Sequence, residues 1–143
     1  MKNTILLATL LFSHFSFSQC YISVQAGGFH TIGQQDDGTL WAWGNNTVGQ
    51  LGIDNLEAQT VPVQINTDTD WTTYSVGINN VHAIKADGTL WAWGSNFEGQ
   101  LGDGTTNDSS VPIQIGTDDD WQAVSCGQSF TIAIKDDGTL WAW

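Results

Sequence analysis

The six residues Gly38-Thr39-Leu40-Trp41-Ala42-Trp43 occur three times in this chain. They return at 88–93 and at 138–143, a constant spacing of 50 residues. A period of about 20–50 residues points to a solenoid, a propeller or an array, because each unit needs its neighbours to bury its faces. The copies run 21–70, 71–120 and 121–143, the third being truncated.

Each copy has one internal order. An aromatic-led run such as Trp71-Thr72-Thr73-Tyr74 comes first, and a glycine follows at 27, 77 and 127. An apolar stretch, clearest as Phe130 to Ile134, leads into Asp37-Gly38, Asp87-Gly88 or Asp137-Gly138. Asp-Gly between strand-like runs predicts a tight hairpin in which both turn residues take positive φ. The Leu-Trp-Ala-Trp strand follows, with Trp41 and Trp43 on one face and Leu40 and Ala42 on the other. A glycine-rich corner, Gly44 to Gly52 or Gly94 to Gly102, leads to strands carrying Pro62 or Pro112. Proline there predicts the start of an edge strand. Four short strands per 50 residues and no helical period describe propeller blades, an all-β class.

Residues 1–18 are a predicted signal peptide: Lys2, the apolar run Ile5 to Phe12, then Ser16-Phe17-Ser18 before Gln19. The array then occupies 19–143, and the protein is expected to be secreted or displayed at the cell surface. A lipid anchor on Cys20 is the alternative. Beyond the leader, Lys85 and Lys135 face fifteen Asp and Glu, and the whole chain has a formal net charge of −12. That charge opposes nucleic acid and anionic membrane surfaces and favours a basic partner. No membrane insertion is expected. A Cys20–Cys126 disulfide is not expected, since it would have to join copies one and three.

Asp37 to Gly52 and Asp87 to Gly102 follow the pattern Asp-Gly-Thr-Leu-Trp-Ala-Trp-Gly-x-Asn-x-x-Gly-Gln-Leu-Gly. This pattern resembles the repeat of the regulator of chromosome condensation family. The resemblance implies a seven-bladed β-propeller with roughly one repeat per blade. About two and a half repeats are present, so an open arc, part of a longer protein, is expected. Kelch repeats fit less well, because single glycines precede Ile78 and Gln128. Sialidase-type boxes fail at Ile84 and Ala86.

A catalytic site is usually made once, whereas a residue found in every copy helps to build every copy. Asp37, Asp87 and Asp137 are therefore expected to be turn residues. Gln50 and Gln100 are expected to satisfy backbone groups at the glycine corner. The tryptophans are expected between blades, and the last unit's Trp141 and Trp143 next to water. His30 and His82 are not equivalent, and Asp68 to Asp70 and Asp118 to Asp120 read as solvated turns. No catalytic, cofactor or metal site is expected. Specificity is expected where the copies differ: Phe29 and His30 against Asn79 and Asn80 and Ser129 and Phe130, and Phe97 and Glu98 in the corner. These positions lie beside turns, at strand ends expected to be exposed. The sequence thus suggests an exported non-enzymatic scaffold that binds an unknown protein through blade-end loops. A carbohydrate-binding propeller, or an accessory module of an exported enzyme whose catalytic part lies beyond residue 143, is the alternative.

Overall fold

A computed structural model describes residues 20–143; the predicted signal peptide lies outside the described residues. Eleven strands form three antiparallel sheets, with no helix among the described residues. Blade one holds β1 (Tyr21–Ala26), β2 (His30–Gln35), β3 (Leu40–Gly44) and β4 (Gln59–Gln64) in meander order. Blade two repeats it with β5 (Trp71–Val76), β6 (Asn80–Lys85), β7 (Leu90–Gly94) and β8 (Ser109–Gln114). Blade three holds β9 (Trp121–Cys126), β10 (Thr131–Lys135) and β11 (Leu140–Ala142).

The blades stack large residues on small ones. Trp71, Tyr74, Val81, Ala83 and Trp93 of blade two bury against Ile32, Leu40, Ala42 and Leu51 of blade one. Trp121, Ala133 and Trp143 of blade three meet Leu90, Ala92 and Leu101 of blade two in the same way. Glycine makes the seat for the second tryptophan. Gly52 has φ +69, and a Cβ there would lie 2.9 Å from Cδ1 of Trp93. Gly102 seats Trp143 likewise, and Trp143 Nε1 donates to Gln100 O at 3.0 Å. Trp143 is therefore an interface residue, contrary to the expected exposure, while Trp141 is 49% exposed. The open apolar face of blade three carries Ile132, Ile134 and Leu140 instead, because the tryptophan side of each blade faces the preceding one.

The hairpin turn differs from the expected one. Gln35 N donates to Thr39 O, Gly38 N donates to Gln35 O, and only the glycine has positive φ. The loop is thus three residues, 36–38, with glycine in the left-handed position, which matches the twist of the strands as well as a two-residue loop does. Asp37 does not take positive φ, and its Oδ1 accepts from Thr39 N at 3.0 Å and Thr39 Oγ1 at 2.7 Å. Trp41 Nε1 then donates to Thr39 Oγ1. The chain repeats this relay at Asp87, Thr89 and Trp91, and at Asp137, Thr139 and Trp141. The Thr89 hydroxyl first, and its N–H second, hold the Asp87 carboxyl below the usual range. Thr89→Val deletes both hydroxyl bonds and keeps the shape. It is expected to lower the urea midpoint, whereas an unchanged midpoint would remove the relay from the fold's supports.

Pro62 and Pro112 lie on the outer edge strands, as expected, but in mid-strand. The register breaks there, between Ala42 and Gly44 and between Ala92 and Gly94, so no ladder bond is asked of them. The Asp-rich turns are not merely solvated. Lys85 Nζ lies 2.7 Å from Asp68 Oδ2 and 3.3 Å from Asp70 Oδ1, and sits over the rings of Trp71 and Trp91. Lys135 holds Asp118 and Asp120 at 2.6 and 2.9 Å. Burial alone would lower the pKa of Lys85, but Asp68 and Asp70 outweigh it and raise the pKa.

Candidate interaction face

Strand alternation puts two kinds of loop at one end of blades one and two, and the first kind at the same end of blade three. These are the turn after β1, β5 or β9, and the glycine corner after β3 or β7. All eight sequence-singled residues belong to this end. Backbone bonds tie the loops into one surface. Gly28 N donates to Ile78 O across the blades, Asn45 N to Phe29 O within blade one, and Ser95 N to Asn79 O within blade two. The corner of blade one leans on blade two, where Asp54 N donates to Ser110 O at 2.9 Å.

The corners are held from within. Gln50 Oε1 accepts from Val48 N and Gln100 Oε1 from Glu98 N, the role expected of both glutamines. Asn46 and Asn96 are buried below them and accept from the N–H of Leu51 and Leu101. Thr47 and Phe97 at the tips face solvent above this hydrogen-bonded backbone.

Phe29 is 82% exposed and Phe97 is 77% exposed. Glu98 and Ser129 are exposed and Asn79 is half-buried. Two residues depart from the expected exposure: His30 is 3% exposed and Asn80 is fully buried. The reason is the glycine three residues earlier. The His30 ring occupies the space a Cβ on Gly27 would need, beside Gly77 O of the next blade; Asn80 does the same over Gly77, beside Gly127 O. Phe130 covers Gly127 in the same manner and remains exposed, as no blade lies beyond it among the described residues.

Sequence reasoning missed Ile78, 40% exposed in the middle blade. The signal was available, since Gly28 and Gln128 stand at its place in the other copies. It also missed how the acidic residues divide. Asp54, Glu57, Glu98, Asp103 and Asp108 lie at this end with no basic residue among the described residues, while the other ten carboxylates share the other end with Lys85 and Lys135.

No group of three or more His, Cys, Asp and Glu able to hold a metal occurs among the described residues. No disulfide joins Cys20 and Cys126. Cys126 Sγ lies 3.3 Å from His82 Nδ1, between blades three and two. Burial pushes the thiol up to about 11 and the imidazole down to about 4, so the pair is neutral, the opposite of an activated nucleophile. No helix of the described residues is long and apolar enough to cross a membrane.

The stacked four-stranded meanders define consecutive blades of a β-propeller in an open arc. The model of the Regulator of chromosome condensation (RCC1) repeat matches residues 37–84 and 87–134, and a second model of that repeat matches 21–50. The chain belongs to the RCC1 repeat family. The Ultraviolet-B receptor UVR8 of Arabidopsis thaliana is 34% identical over 70 residues, 48% of this chain and 16% of that protein. Human WBSCR16 superposes with a TM-score of 0.79 at 21% identity, over 89% of this chain and 33% of its own. Prp20p of Saccharomyces cerevisiae gives 0.72 at 24% identity, over 86% of this chain and 32% of its own. The chain thus spans about a third of these solved relatives, which agrees with an arc of a larger ring.

Proposed function

We propose that the protein is an exported, non-enzymatic scaffold that binds another protein through the loops at the Phe29 and Phe97 end of its blades. One observation carries the reading. The three phenylalanines of the described residues, Phe29, Phe97 and Phe130, are all exposed, stand where other copies carry other residues, and share one end of the fold. Exposed aromatics on rigid backbone suit an interface, because they bury much area at little entropic cost. The relatives support the class: yeast Prp20 has been crystallised with Kap60 and has binding properties toward Gsp1p and histones. Export rests on residues 1–18, and the exported protein is expected to begin at Gln19, read by its mass.

A photo-crosslinking residue placed at 97 or 129 is expected to capture a protein partner. The same residue at 119 or 137, at the other end, is expected not to. Equal adducts from both ends would reject the reading. Binding to a glycan array that is lost on changing Phe97 would replace it with carbohydrate recognition.

A further inference from the structure

Three exposed apolar residues lie along a line of bonded loops. Phe29 adjoins Gly28, whose N–H donates to Ile78 O; Ile78 adjoins Asn79, whose carbonyl accepts from Ser95 N, two residues before Phe97. Their exposure is not simply that of blades lacking neighbours. Ile78 belongs to the middle blade, which has a blade on either side. Phe97 stands where blade one has Thr47, and Thr47 is exposed although the next blade is present. Carboxylates share this end of the fold with them. Glu98 follows Phe97, and Asp54 and Glu57 project from the corner that leans on Ser110 of blade two. These three are exposed, and no basic residue accompanies them at this end among the described residues.

We propose that Phe29, Ile78 and Phe97, with Asp54, Glu57 and Glu98 at the same end, form a docking surface for a protein segment whose apolar side chains are flanked by lysine or arginine. This rests on the reading of the protein as a binding scaffold and names the chemistry of its partner. Exposed apolar groups gain by being covered, and buried anchors of this kind supply most of an interface's energy. The carboxylates at this end select the sign of what covers them. They draw in cations and repel nucleic acid, anionic membranes and acidic segments. Both lysines of the described residues are engaged with aspartates at the far end and do not offset this field.

Three fluorescent peptides test the proposal by anisotropy: one with a Leu-Phe pair flanked by lysines, one with the same pair flanked by glutamates, and one with lysines flanking serines. The first is expected to bind best. Its affinity should fall steeply toward ~1 M salt, where the screening length is about 3 Å. The repeat supplies conservative variants. Phe97→Thr and Ile78→Gln install the residues found at the same places in other copies, and each is expected to weaken the first peptide by about tenfold. Glu98→Lys should weaken it and improve the glutamate-flanked one. Melting temperatures report whether each variant remains folded. Equal binding of the lysine- and glutamate-flanked peptides, or no loss in folded Phe97→Thr, would overturn the proposal. Preference for the lysine–serine peptide would show a charge effect without a docking surface and would also overturn it. If the peptides fail while crosslinks from 97 and 129 persist, only this inference falls; if crosslinks come equally from both ends, the scaffold reading falls with it.

Discussion

Trp93→Ala is expected to remove about 3–5 kcal/mol of stability, the range for deleting a fully buried large side chain. The indole is completely enclosed, lies 6.2 Å from the Trp71 ring, and fills the seat made by Gly52 and Ile65 of the preceding blade. Alanine leaves a cavity with rigid walls, since one wall is glycine backbone and another is the Trp71 ring. Trp43 provides the internal control. It has the same place in the motif and meets Tyr21 edge-on at 6.0 Å, but no blade precedes its face among the described residues, and it is only half-buried. Trp43→Ala should cost at most about half as much, because part of its surface is already in water. Urea unfolding with linear extrapolation reads both. Equal losses would show that the tryptophans matter within their own sheets rather than between blades.

The repeat made the architecture legible because it fixed both the strand pattern and the reason for it. Leu40 and Ala42 on one face and Trp41 and Trp43 on the other imply large-against-small stacking, and Trp93 against Ala42 and Leu51 fulfils it. The direction of stacking was not legible. Nothing in Leu-Trp-Ala-Trp says whether the tryptophan face looks forward or back, so the sequence alone leaves Trp143 in water, whereas Gly102 seats it. The turn is one residue longer than Asp-Gly alone implies. Asp-Gly serves two-residue and three-residue loops alike, and the choice lies in the Gln35–Thr39 pairing. Lys85 was invisible as an ion-pair centre because Asp68 and Asp70 precede it by a whole strand.

The candidate face was half legible for a related reason. Differences between copies locate positions that the fold leaves free, but they do not separate solvent from an interface between blades. His30 and Asn80 differ because each fills the space over a glycine. Phe29 and Phe97 differ with nothing built over them.

Acid should destabilise the protein in a window set by His30 and His82, the two histidines of the described residues. His82 is fully enclosed, with Nε2 3.2 Å from Leu101 O, Nδ1 facing Cys126 Sγ and the Trp143 ring 5.9 Å away. Burial lowers its pKa to about 4, against a weaker opposing pull from the Leu101 carbonyl. His30, also buried, is lowered to about 4 by the same cause. An unfolded histidine takes up its proton near pH ~6.5. Between about 6.5 and 4 the unfolded chain therefore binds more protons than the folded one, and stability falls as pH falls. Each histidine can cost up to about 3 kcal/mol across that window, and neither contributes further below it. The carboxylates of Asp37, Asp87 and Asp137 are held below the usual range by their threonines. Their stabilisation is present above pH ~3.8 and is lost only as pH falls through their lower folded values, beneath the histidine window. The chain itself suggests the control. Where blade two presents His82 to Cys126, blade one presents Ile32 to a cluster that includes Val76. The double variant His82→Ile with Cys126→Val copies the first interface into the second. It should fold, and it should lose about half of the stability change between pH ~6.5 and 4, leaving the share of His30. Urea midpoints at several pH values measure this. An unchanged pH slope in the double variant would show that His82 takes up its proton without opening the interface between blades two and three.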